Sequence, residues 1–133
     1  MNKRILAFDL GDKWIGVAHT DMMQITVIPY GTWELKNFDK EFALYLLTHS
    51  IECVIVGLPK TMQGNNSDQT NKVLLWFESI KIKFSQITFH LQDERLSSQF
   101  AKKILFHNKS KKNSDHTVAA AIILENFLLY YKK

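Results

Sequence analysis

Apolar residues gather in five short runs, and between the later runs they recur at three- and four-residue spacing. The first run, Ile5-Leu6-Ala7-Phe8, stops at Asp9 and a glycine turn, and Trp14 to His19 begins again at once. The first third therefore reads as three strands in a meander, about 3–9, 14–20 and 25–34. A helix is predicted next, with Asn37 suited to cap it and Phe38, Phe42, Leu46 and Leu47 on its inner side. Glu52 to Leu58 is almost continuously apolar, as in a central strand covered on both faces, and Pro59 ends its ladder. Beyond the polar loop from Lys60 to Ser67, Asn66 with Gln69 resembles a capping box. That box opens a helix with Val73, Phe77, Ile80 and Phe84 as its buried stripe. A fifth strand is expected from Ile87 to Leu91, then a helix with Phe100, Ile104 and Leu105 inward. The last helix opens near Ser114-Asp115 and turns Val118, Ala119, Ile122, Ile123 and Phe127 to the core. This order predicts an α/β fold on a five-stranded mixed sheet, three antiparallel strands then two parallel ones, flanked by helices.

The chain of 133 residues suits one domain over 1–133, given a usual domain size of about 100–200 residues. Its 46% hydrophobic content supplies a sizeable core. No run nears the ~18 apolar residues of a membrane span, and the short N-terminal run does not resemble a signal peptide. A soluble, cytoplasmic protein with no membrane partner is expected. The single cysteine, Cys53, lies in the fourth strand with nothing charged to activate it, and reads as core. The net charge of +4 is unevenly spread. Lys102, Lys103, Lys109, Lys111 and Lys112 fall in one stretch without an acid, predicted to be a mobile loop. Such runs are usually solvated surface; beside a site, this one would contact phosphates of a nucleic acid.

Period-two geometry puts Asp9 on the same strand face as Ile5 and Ala7, where a carboxylate is costly to bury unless paired or ligating a metal. Aspartate is also common in hairpin turns, so the feature alone fits a turn as well as a site. Asp93 and Glu94 end the fifth strand and Asp115 begins the last helix. Each has an ordinary explanation: Glu94-Arg95 as a surface ion pair, Asp115 as a complement to the helix dipole. Ligands in open sheets gather beyond strand carboxyl ends, where the acids of the first and fifth strands would converge if those strands lie near one another in one sheet. Carboxylates converging without histidine or cysteine favour Mg²⁺ or Mn²⁺, the ions of two-metal phosphodiester hydrolysis. Other chemistries lack their motifs. There is no Gly-x-Ser-x-Gly elbow, and Gly57-Leu58-Pro59-Lys60-Thr61 lacks the glycines of a Walker A loop. The histidines show no metal-ligand spacing, so surface or core roles suit them, and the three tryptophans read as packing residues.

Four blocks are similar to the YqgF/RuvX family. They are Phe8-Asp9-Leu10-Gly11-Asp12-Lys13-Trp14-Ile15-Gly16-Val17-Ala18, Ile55 to Gly64, Asp93-Glu94-Arg95-Leu96-Ser97-Ser98, and Asp115 to Leu124. They follow the family's order over almost the whole chain. The resemblance implies a ribonuclease H-like fold related to the RuvC resolvases. It also implies a nuclease maturing the 5′ end of pre-16S ribosomal RNA, with Holliday junction resolvase as an older label. Carried over by position, the catalytic acids are Asp9, Glu94 and Asp115, with Asp93 of the same motif ranked second. Gln63 stands where family members usually have an acid, and Asn65-Asn66 and Met22-Met23-Gln24 also depart from the pattern. Two other classes stay open: a non-catalytic nucleic-acid-binding module, and a phosphotransferase of the actin and sugar-kinase group, which would need a second domain.

Overall fold

The computed structural model describes residues 2–94 and 112–131, the side chains of 112–115 excepted. Strands β1 (Arg4–Leu10), β2 (Trp14–Thr20) and β3 (Val27–Glu34) are followed by a 3-10 turn (Leu35–Asn37) and α1 (Phe38–Thr48). Then come β4 (Ile51–Leu58), α2 (Asp68–Lys83), β5 (Phe89–Asp93) and α3 (Lys112–Tyr131). The sheet order is β3-β2-β1-β4-β5. β1–β2 and β2–β3 pair antiparallel, while β1–β4 and β4–β5 are parallel, as the element order predicts.

Alternation along the strands divides the core in two. Leu6, Phe8, Ile15, Val17, Val54 and Val56 face α1 and α2, whose Phe42, Val73, Phe77 and Ile80 cover them. Ile5, Ala7, Ala18, Cys53 and Ile55 face α3 and meet Ala120, Ile123 and Leu124. The second face is built of smaller residues, and α3 lies close against it. The first is bulky and aromatic. Phe8 alone meets the rings of Trp33, Phe38, Phe42 and Trp76 at centroid distances of 5.2–6.0 Å.

Several boundaries differ from expectation, each for a traceable reason. Asn37 holds the N-cap position of α1 but makes no side-chain cap bond; its amide donates to Glu34 instead. Leu47, expected inward, is 80% exposed. It lies nine residues beyond Phe38, which at about 100° per residue is the opposite side of the helix, and Tyr45 takes the inner place. The capping box of α2 is Ser67 with Thr70, not Asn66 with Gln69. The Thr70 hydroxyl also donates to the Pro59 carbonyl, tying this helix start to the end of β4. β5 lies two residues later than expected, because its ladder with β4 runs from Val54↔Phe89 to Leu58↔Asp93. The expected helix around Phe100, Ile104 and Leu105 lies outside the described residues. No helix among the described residues is long and apolar enough to cross a membrane.

Candidate active site

Three strands place the carboxylates on the α3 face. Asp9 follows Ile5 and Ala7 on that side of β1, and is largely buried. The register Phe8↔Val56 brings it level with Gly57 on β4. On the far side of Gly57, Gln92 of β5 donates its amide to the Ile123 carbonyl of α3 at 2.9 Å. Glu94, two residues on, follows the strand end. One Glu94 carboxylate oxygen stands 2.9 Å from the point a Cβ on Gly57 would occupy. Gly57 is thus a bare position between Asp9 and Glu94. Any side chain there would also strike Ile123.

The electrostatics record this closeness. Burial, then the negative charges of Asp9 and Asp93, push the Glu94 pKa up to about 7, with His116 pulling the other way. A partly buried carboxylate held beside two others is what a cation would relieve, and all the donors are hard oxygens. The residues present therefore fit a divalent ion of the Mg²⁺ or Mn²⁺ kind. Among the described residues, however, no three metal-ligating side chains form a set. Asp115 occupies α3 one residue before His116, and its side chain lies outside the description. Lys102, Lys103, Lys109 and Lys111 lie outside the described residues, and Lys112 is the first residue of α3, its side chain also outside the description.

One residue at the site escaped sequence reasoning. His116 Nδ1 lies 2.7 Å from an Asp9 carboxylate oxygen. Two glycines of the β1–β2 hairpin make room for it. A Cβ at Gly11 would come within 2.5 Å of the imidazole Nε2, and a Cβ at Gly16 would overlap the His116 carbonyl. The only signal in the sequence was position, since His116 follows Asp115 within a matched block. Around the imidazole opens a cleft of about 630 Å³, running past the hairpin to Gln69 at the start of α2.

Sheet order, mixed pairing and helices on both faces define a ribonuclease H-like α/β fold. RuvC of T. thermophilus, solved with a Holliday junction substrate, shares it. The TM-score is 0.65 over 98% of this chain and 95% of RuvC; at 10% identity the likeness is one of fold alone. The model of the RuvX family, described as Holliday junction resolvase, matches residues 3–130, and the chain belongs to that family. A Desulforamulus reducens relative is 35% identical over 94% of this chain and 96% of its own length. One from Fusobacterium nucleatum is 35% identical over 95% and 96%. One from Ehrlichia ruminantium (strain Welgevonden) is 32% identical over 95% and 85%. All three are provisionally named pre-16S rRNA nuclease.

Proposed function

We propose that this nuclease is divalent-metal dependent and trims the 5′ end of pre-16S ribosomal RNA in the cytoplasm. The observation carrying the reading is the pair Asp9 and Glu94 on one sheet face, separated by the bare Gly57, with Glu94 held near pKa 7. Asp9, Glu94 and Asp115 would hold Mg²⁺ or Mn²⁺, with Asp93 behind them. The bound ion would supply charge stabilisation and an activated water for phosphodiester hydrolysis. His116 orients the Asp9 carboxylate through its 2.7 Å contact. Gly57 leaves the gap in which a phosphate can approach both acids. Lys102, Lys103, Lys109, Lys111 and Lys112 would hold the sugar-phosphate backbone, giving affinity that falls with salt. The ribosomal RNA substrate is taken from the names of the relatives.

A second reading, cleavage of branched DNA, is favoured by the family's description and by the RuvC fold. A single assay separates the two: matched single-stranded RNA carrying the 5′ leader, duplex, and four-way DNA junction, each with Mg²⁺ and with Mn²⁺. Cleavage of the RNA alone is expected, whereas junction cleavage alone would transfer the assignment to branched DNA. Asp9→Asn keeps the shape and removes the charge. It should lower the cleavage rate at least about 100-fold, the scale on which one misplaced catalytic group acts, with circular dichroism unchanged. Wild-type cleavage by this variant would dismiss the site.

A further inference from the structure

The three tryptophans have unlike surroundings. Trp33 packs on Phe8, Tyr30, Phe38, Phe42 and Tyr45, and Trp76 on Phe8 and Phe38. Trp14 makes no ring contact among the described residues, is half-buried, and lines the 630 Å³ cleft. It opens β2 on the same face as Gly16, and Gly16 is the register partner of Asp9. Trp14 is therefore a diagonal neighbour of Asp9, about 7–8 Å away in a regular antiparallel pair. No ring among the described residues accounts for an aromatic side chain placed beside Asp9 at the mouth of this cleft.

The cleft has the other parts of a nucleotide subsite. Its volume lies within the range of roughly 300–1,000 Å³ typical of small-molecule clefts. Lys13 lines it, and an adjoining depression shares its Leu10, Gly11, Asp12 and Gln69 and adds Lys72. The one acid among the described lining residues, Asp12, is offset by Lys72 at 3.8 Å. Gln69 donates to the Leu10 carbonyl at 3.2 Å and fixes the floor. His116 joins the cleft to Asp9.

We propose that Trp14 is a stacking platform for one unpaired base of the nucleic-acid substrate, next to the phosphate that Asp9 faces. Lys13 and Lys72 contact the flanking phosphates. A base within a duplex is stacked on its neighbours and has no free face to offer, whereas an unpaired base can be laid on an aromatic ring. The site therefore selects single-stranded over duplex nucleic acid at this position. The inference rests on the nuclease reading for what the cleft faces.

The test is binding by the full chain in EDTA, followed by tryptophan fluorescence. The probes are an oligouridylate of roughly 12 nucleotides, the same oligomer with abasic residues, and a blunt RNA duplex. The oligouridylate should quench fluorescence, and the abasic oligomer should bind about 10-fold more weakly. Trp14→Ala should lose about 10-fold in affinity for the oligouridylate with its salt slope unchanged, since stacking releases no counterion. Trp14→Phe should keep most of the affinity but lose the quenching. Lys13→Ala should instead flatten the salt slope. Equal affinity of wild type and Trp14→Ala, equal binding of base-bearing and abasic oligomers, or quenching that persists in Trp14→Phe would each overturn the subsite. Cleavage with Mg²⁺ or Mn²⁺ is measured separately. A wild type that cleaves nothing but shows Trp14-dependent binding would refute the nuclease reading and keep the subsite. A Trp14→Ala variant that binds and cleaves as wild type would do the reverse.

Discussion

Glu94 condenses the chemistry of the site into one titration. An acid whose folded pKa is raised contributes stability below its unfolded value, and loses it as pH climbs through the folded value. For Glu94 that window runs from about 4.5 to about 7. Glu94→Gln carries no charge at any pH, so in EDTA it should be more stable than wild type at pH 8, by on the order of 1–3 kcal/mol. At pH 4 the two should be nearly equal. Urea denaturation at both values checks this, and an equal gain at both would assign the effect to packing. The same variant should lose cleavage, because stability and activity make opposite demands on this carboxyl. His19 tilts the curve the other way. Burial, Arg4 and His49 hold its pKa down at about 4, so the fold loses stability as pH falls from about 6.5 to about 4.

Elements are positioned by a few contacts at their ends. The start of α2 rests on the reciprocal Ser67–Thr70 box, with the Thr70 amide donating to Ser67 Oγ at 3.2 Å. Ser67→Ala should cost about 1 kcal/mol in urea denaturation, the usual value of a lost cap. α3 is set by how closely His116 approaches β2. In Gly16→Ala the new Cβ would overlap the His116 carbonyl, a backbone atom that can yield only if the helix moves. Overpacking of this kind typically costs about 1–3 kcal/mol. Because the same movement separates His116 from Asp9, cleavage should fall more than the loss of stability explains. Cleavage measured under conditions where the variant is fully folded separates the two effects; full activity there would mean that α3 can shift without cost to the site.

Over the whole molecule, the aromatic face and the site share one strand. Phe8 faces α1 and α2, and Asp9, the next residue, faces α3. Phe8→Ala removes a ring that touches four others, and should cost about 3–5 kcal/mol, read as a lowered denaturation midpoint. Anything less than about 1 kcal/mol would mean that the neighbouring rings collapse into the space. The N-terminus of α2 and the region of His116 on α3 both approach the carboxyl end of β1, through Gln69 to Leu10 and His116 to Asp9. Helix starts carry partial positive charge, so this end of the sheet favours an anionic ligand.

Much of this was written in the sequence. The run Val54-Ile55-Val56 announced a doubly covered strand, the stripe Val73, Phe77 and Ile80 announced α2, and Asp9 in step with Ile5 and Ala7 announced a carboxylate on a core face. These features are local, set by the two- and 3.6-residue periods of the backbone, and a linear reading recovers them. Ladder and packing decided the rest. The partner strand fixed β5 two residues later and so placed Glu94 just beyond its end. Sheet order put Gly57 between two acids that lie 85 residues apart, and a missing side chain left the gap between them. His116 and Trp14 read in sequence as an ordinary surface or core histidine and a packing tryptophan. Their roles come from the glycines that stand opposite His116 and from the cleft that Trp14 lines beside Asp9, and those relations exist only once the sheet has formed.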